Sequence, residues 1–327
     1  MSEMTYRGAI AQAIMEEMRR DPQVILLGED VGKFGGAMAA TKGVYEAFGP
    51  GRVLDTPISE AAIIGAALGA ALTGLRPIAE IMFIDFTTCC MDQIANQVAK
   101  VRYMLGSQVT VPLVIRTQGG AGKSYAAQHS QSLEVWFAAI PGLRVVMPAT
   151  AADAKGLLKS AIRSNDPVLF IENKVLYGEK GEVPDDPDFL LPLGKAAVVR
   201  PGRDATIVSY SRQLMIALEA ATMLAAEAIH CEVIDLRTIS PLDMKTILTS
   251  LEKTSRLVIV EEGHKSFGVG AEITARIMEE GFDLLERPVA RVASRDTPIP
   301  FSPVLERATI PNAGKIAAAV KSMLAAV

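Results

Sequence analysis

The chain has 327 residues, half of them apolar and 21% charged, enough for a sizeable core in about two domains. Its 33 Lys and Arg face 37 Asp and Glu, a net charge of −4 with no block of like charge, which excludes the usual signature of a nucleic-acid or anionic-membrane partner. The three cysteines, Cys89, Cys90 and Cys231, show no CxxC and no zinc spacing; they read as reduced thiols of a cytoplasmic protein, with no metal site of their own.

In chain order, MSEMTYRGAI lacks the layout of a signal or transit peptide, and a helix is predicted over Tyr6–Arg20. A strand follows at Val24–Leu27, ending at the acids Glu29 and Asp30. Glu60 heads a predicted helix, Glu60–Thr73, and the uncharged run Ala61–Leu75 behind it is too short to span a bilayer. Ala61, Gly65 and Gly69 form a small-residue face at i, i+4, i+8, and the whole segment is expected to be buried. Either Glu60 simply favours the positive end of a helix capped by Ser59, or it is a buried carboxylate that needs a partner.

Strands at Ile78–Met82, Val109–Arg116, Leu143–Val146 and Val168–Glu172 alternate with helices at Asp92–Met104, Gln131–Ala139 and Ala152–Ser164. That alternation predicts an α/β fold with a parallel sheet covered on both faces. Gly178–Pro192, with three prolines, reads as a linker. After it the pattern restarts: strand Ala205–Tyr210, helix Leu214–Ala228, strand Cys231–Leu236, helix Asp243–Ser250, strand Arg256–Glu261 and helix Gly270–Glu280. The expected division is a first domain over 1–178, a linker over 179–193 and a smaller α/β domain over 194–327.

Thr117–Ser124, TQGGAGKS, follows a strand and resembles a P-loop, but Thr117 replaces the first glycine that wraps the backbone around phosphate. A P-loop NTPase is the remote alternative; the glycines are expected to let this loop approach something closely. His129 stands just past it, flanked by Gln128, Ser130 and Gln131, at the kind of loop where open α/β sheets bind ligands. His230 reads as structural, and His264 follows a strand near the domain junction.

Nine segments occur in an ordered series: DTPISE (55–60), GLRPIAEI (74–81), DQIANQ (92–97), AAQHSQSLE (126–134), IPGLRVVMP (140–148), DAKGLLKSAIR (153–163), DLRTISPLD (235–243), GVGAEI (268–273) and FSPVLE (301–306). In order and spacing they resemble the beta subunit of the thiamine-diphosphate-dependent decarboxylating component of 2-oxo acid dehydrogenase complexes, over essentially the whole chain. The resemblance implies a pyrimidine-binding domain followed by a transketolase C-terminal-like domain. It implies oxidative decarboxylation of a small 2-oxo acid, pyruvate foremost, and reductive acylation of a lipoyl group, with acetoin cleavage as the alternative. It also implies an alpha subunit in an α2β2 heterotetramer, docked on a lipoyl-bearing acyltransferase core. That alpha chain would hold the diphosphate and its magnesium, and this chain has no Asp-Gly dipeptide with which to do so.

By the same resemblance, Glu60 hydrogen-bonds a ring nitrogen of the cofactor aminopyrimidine, and Ile58, Met82 and Phe86 are apolar contacts to that ring. His129 serves the substrate or the incoming lipoyl group. Glu29, Glu60 and Asp92 align with acids proposed to link paired active sites, Glu29 also lying at the cofactor. Cys89 and the QGGAGKSYAAQHS loop depart from the family pattern, which leaves the substrate open. Ser164 and Asp166 stand where a backbone potassium site at Leu113, Ala161 and Ile162 usually has Asp and Asn, so that site is not assigned.

Overall fold

The computed structural model describes residues 1–325 as two compact units, one formed by 1–119 and 136–193 and the other by 120–135 and 194 onward. The expected first domain, 1–178, is therefore not a continuous block, because 120–135 packs with the second unit. Among the described residues no helix is long and apolar enough to cross a membrane.

In the first unit β1 (Ser2–Thr5) leads into α1 (Tyr6–Arg20), where Thr5 caps the helix by accepting from the Gly8 amide. Then come β2 (Val24–Gly28), α2 (Val44–Phe48), β3 (Val53–Asp55), α3 (Glu60–Leu72), β4 (Arg76–Ile81), α4 (Val101–Met104) and β5 (Val114–Gly119). After α5 (Glu134–Ala138), whose first two residues count with the other unit, follow β6 (Arg144–Val146), α6 (Ala151–Arg163), β7 (Val168–Asn173) and β8 (Lys180–Val183). Six strands of this unit lie in the order β6-β7-β5-β4-β2-β3, all parallel. Their buried apolar runs pack under α1 and α6 around Ile10, Ile14, Leu26, Ile78, Leu158 and Phe170.

Three expectations change. The segment 179–193 is not a free linker: β8 pairs antiparallel with β1, Leu191 N–H bonds the Gly156 carbonyl at 3.2 Å, and Lys155 Nζ bonds Pro184 O at 3.1 Å. The helix expected over Asp92–Met104 is broken into a π-helical turn, Gln93–Val98, and the short α4. A Cβ on Gly142 would lie 2.0 Å from Ala99 O, so the Pro141–Gly142 turn sits directly on the break, and Lys100 Nζ bonds Pro141 O at 2.9 Å. Finally, α3 is buried on one face only, through Ile63, Ile64, Ala67, Leu68 and Ala71; Ala61, Ala62, Ala66 and Gly69 are exposed. Small side chains on that face make no contact that would cover them within a single chain.

In the second unit β9 (Ala197–Arg200), β10 (Ala205–Ser209), α7 (Ser211–Ala225), β11 (Cys231–Asp235) and β12 (Thr238–Ser240) precede α8 (Met244–Thr254). They are followed by β13 (Leu257–His264), α9 (Val269–Glu280), β14 (Ala290–Ser294), α10 (Pro303–Thr309) and α11 (Ala313–Ala325). The sheet order is β14-β13-β10-β11-β9, parallel except for β9.

The first unit is built around a buried charge. Arg116 on β5 donates to Glu80 on β4 at 2.7 Å and to Glu172 on β7 at 2.7 and 2.9 Å, and Tyr177 donates to Glu172 at 2.5 Å. Burial opposes the guanidinium charge, but Glu172 and Glu80 outweigh it and hold Arg116 firmly protonated. Arg116→Met leaves two carboxylates buried without their cation and is expected to cost about 3–5 kcal/mol in urea unfolding at neutral pH. Adding Glu80→Gln to that variant should recover part of the loss.

Candidate functional site

In a parallel sheet all carboxyl ends emerge at one edge, and ligands bind where the strand order reverses. Here the chain runs from β2 outward to β3, then returns to place β4 on the other side of β2. Five of the residues expected at a site lie on the loops after these three strands. Glu29 follows β2, Ile58 and Glu60 follow β3, and Met82 and Phe86 follow β4.

Glu60 opens α3 and is half-buried, less enclosed than expected. Ser59 makes no side-chain cap bond, so the helix end is not sealed by its neighbour. Glu29 and Glu60 are close enough to feel each other: burial, then Asp30, then Glu60 raise the Glu29 carboxyl above the ordinary carboxylate range. Burial also pushes the Cys90 thiol to about 12, with Glu60 and Cys89 adding to it. The edge is therefore acidic, and Cys90 is a neutral thiol. Ile58 is 73% exposed, an isoleucine presented rather than packed away, while Met82 and Phe86 are half-buried. Asp92 lies exposed, its carboxylate bonded to Asn96 Nδ2 at 2.7 Å.

The bend that carries Met82 and Phe86 is fixed from inside the sheet. Phe83 adopts a left-handed φ of 68°, costly for an aromatic residue. Its amide donates to Gln118 Oε1 at 3.0 Å, and Gln118 Nε2 donates to Glu80 Oε1 at 2.9 Å, joining the bend to the Arg116 network. Phe83 and Phe86 meet edge to face, 6.4 Å between centroids, and Lys174 Nζ sits 5.5 Å from the Phe83 ring. An aminopyrimidine needs apolar faces above and below and a carboxylate at a ring nitrogen. Ile58, Met82 and Phe86, with the acidic pair Glu29 and Glu60, are a donor set of that kind.

His129 belongs to the second unit, on the segment after Gly120. The P-loop-like amides here are already occupied: Ala121 N–H donates to Glu262 Oε1 at 2.7 Å and Gly122 N–H to Glu306 Oε1 at 2.7 Å. Phosphate would have to displace two carboxylates of the same chain, which removes the structural basis of the NTPase alternative. What the glycine approaches is Arg212; a Cβ on Gly122, whose φ is +101°, would lie 2.5 Å from its Nη1.

Beside this segment is a cavity of about 650 Å³ whose wall includes Gln128, Ser130, Glu262, His264 and Asp296. His264, on this wall, pairs its Nδ1 with Arg295 O at 2.8 Å. His230 is a loop residue: its amide bonds Asp204 at 2.6 Å and its carbonyl accepts from Arg203 and Asp204. No local signal in the sequence marks Glu262 or Glu306, although Glu306 ends FSPVLE, one of the nine ordered segments.

Two family models match. That of the pyrimidine-binding domain of transketolase covers residues 2–180, and that of the transketolase C-terminal domain covers 194–316. The chain belongs to the transketolase family. Within it, the chain is 48% identical to the pyruvate dehydrogenase E1 component subunit beta of Rhizobium meliloti, over 99% of this chain and 70% of that one. It is 50% identical to the acetoin:2,6-dichlorophenolindophenol oxidoreductase subunit beta of Cupriavidus necator, over 97% and 96%. The human mitochondrial pyruvate dehydrogenase E1 subunit beta is 47% identical over 98% and 91%. A solved structure described as a split-gene transketolase, an inactive beta4 tetramer, superposes with a TM-score of 0.80 at 26% identity, covering 98% of each chain.

The GVGAEI segment of this family has a physical reason in the second unit. Cβ atoms on Gly268 and Gly270 would lie 2.6 and 2.8 Å from Glu261 Oε1, so only glycine lets the start of α9 close on that carboxylate. The Gly270 amide donates to Glu261 at 3.1 Å. Burial, reinforced by Glu134, still raises Glu261 to about 7. From the ordinary carboxylate range up to about pH 7, the folded chain keeps a proton that the unfolded chain has lost. Stability contributed by this group therefore falls as pH rises through that window. Glu261→Gln, which keeps the acceptor oxygen, should gain melting temperature relative to the parent between pH 5 and pH 8, on the order of 3 kcal/mol at most.

Proposed function

We propose that this chain is the beta subunit of a thiamine-diphosphate-dependent 2-oxo acid dehydrogenase of the pyruvate type. Near-complete alignment with pyruvate dehydrogenase E1 beta subunits at 47–48% identity carries the reading. The acid and apolar residues after β2, β3 and β4 support it. Bound thiamine diphosphate supplies the nucleophilic carbon and the electron sink that decarboxylation of a 2-oxo acid requires.

In this reading Glu60 holds a proton at a ring nitrogen of the cofactor pyrimidine, which makes the exocyclic nitrogen a better base. Ile58, Met82 and Phe86 orient the ring and exclude water from it. Glu29 adds a second carboxyl group to the cofactor edge beside Glu60, its pKa raised by burial and by the neighbouring Asp30 and Glu60. His129 serves the incoming lipoyl disulfide, where a proton must reach the sulfur released as the S–S bond opens and the other sulfur takes the acyl group. The diphosphate and magnesium fall to an alpha subunit, since this chain has no Asp-Gly dipeptide. The exposed small-residue face of α3 supports a partner chain in an α2β2 assembly that delivers acyl groups to a lipoyl-bearing acyltransferase core. Three free cysteines fit a cytoplasmic setting.

A second reading, an acetoin-cleaving beta subunit, is favoured by the 50% identity to the Cupriavidus necator protein and 48% to that of Bacillus subtilis. Turnover of pyruvate, branched-chain 2-oxo acids and acetoin by the chain reconstituted with its alpha partner separates the two. Pyruvate is the expected substrate, and cleavage of acetoin alone would establish the second reading. Glu60→Ala should lower turnover at least about 100-fold, the usual scale for a proton-transfer group. Unchanged turnover would remove Glu60 from the mechanism. His129→Ala should slow acylation of lipoamide, and an unchanged acylation rate would refute its role.

A further inference from the structure

The segment Gly120–Gln131 is closed at its base by the Gly120 amide, which donates to Gln131 O at 3.0 Å. Inside it, successive backbone N–H groups point at carboxylates from far along the chain. Gly122 donates to Glu306 Oε1 at 2.7 Å, and Ser124 donates to Glu306 Oε2 through its amide at 3.1 Å and through Oγ at 3.3 Å. Amides converging in this way form an anion nest, a concavity that elsewhere receives phosphate. Here it is filled by a glutamate of α10 that is 3% exposed.

The loop has reason to rely on this anion. Ser124 and Ala126 are held at left-handed φ values of 57° and 60°, each costing about 1 kcal/mol or more outside glycine. Charge-assisted bonds from amide to carboxylate are about twice as strong as neutral ones and can hold that conformation. Glu262 adds the Ala121 amide, and Ala121 packs with Ile299 and Ile310. From Ser124 the chain passes through Ala126, whose carbonyl accepts from the His129 amide at 3.5 Å, and on to His129. Neither Glu306 nor His129 is part of the wall of the neighbouring cavity, and the link from Glu306 to His129 runs through the loop.

We propose that Glu306 is a positioning residue: its carboxylate, seated in the Gly122–Ser124 nest, sets the place of His129. This rests on the reading of His129 as the group that serves the lipoyl acceptor.

The test uses the holoenzyme assembled with its alpha chain, measuring acylation of free lipoamide and, separately, decarboxylation coupled to 2,6-dichlorophenolindophenol. Glu306→Ala is expected to lower kcat for lipoamide acylation about 10-fold while the dye-coupled rate stays within about 2-fold. Glu306→Gln, which keeps the shape and one acceptor oxygen, should fall between the two and carries the comparison if the Ala variant does not assemble. The peptide bond after exposed Lys123 should become cleavable by trypsin in the variants, a readout independent of activity. The decisive measurement is the double variant with His129→Ala. If Glu306 acts through His129, removing it adds less than about 2-fold to the loss caused by His129→Ala alone. Losses that multiply would overturn the proposal, as would a Glu306→Gln enzyme with normal acylation and normal trypsin resistance. If His129→Ala alone leaves acylation unchanged, the reading of His129 fails; if His129→Ala is slow and the Glu306 variants are normal, only the positioning proposal fails.

Discussion

Arg116 between Glu80 and Glu172 is the interaction on which the first unit depends. A charge with almost no exposure sits in the middle of a parallel sheet built largely from apolar strands, and it is tolerable only because both partners satisfy it and Tyr177 bonds one of them. The arrangement reaches beyond β5. Through Gln118 the same network bonds the Phe83 amide, and so holds a left-handed bend on which Met82 and Phe86 are displayed. A purely apolar sheet would bury as much surface, but it would offer no acceptor for that amide. Buried polarity here fixes a loop geometry at the sheet edge.

The second unit uses its buried glutamates in the opposite sense, as hydrogen-bond acceptors that gather backbone. Glu261 receives the start of α9, Glu262 the Ala121 amide, and Glu306 the Gly122 and Ser124 amides. The glycines in both places are required by close approach, to Glu261 in one case and to Arg212 in the other. A sequence such as TQGGAGKS looks like a phosphate loop for the same physical reason that it binds a carboxylate. Glycines and free amides make an anion site, and only the rest of the chain decides which anion fills it.

Much of the architecture was legible. Apolar β-branched runs and helical periodicity located α1, β2, β7, α6, β10 and β11 to within a few residues, because each buries a face whose pattern is local. The elements without a local signal are short: β1 and β8 pair with each other from distant parts of the chain, and β9 is a half-exposed strand of four residues. The break between Gln93 and Met104 is invisible in composition, and the turn at Gly142 that lies against Ala99 comes from a separate part of the chain. Glu60 was found because an acid stood at the head of a long uncharged run. Glu306 was not singled out, because nothing in its neighbourhood announces which amides it will meet.

By itself the sequence determined the alternation that makes a parallel α/β sheet, the family, and the residue types available for the chemistry. Those properties follow from local periodicity and from ordered motifs, which need no knowledge of what lies across the fold. Tertiary structure decided which strand ends become neighbours, and so brought the loops of Glu29, Glu60 and Met82 to one edge of one sheet. It also decided that 120–135, with His129, belongs to the second unit, and that a carboxylate 182 residues beyond Ser124 holds it there. Contacts of that length depend on packing and hydrogen bonding between segments whose sequences carry no trace of each other.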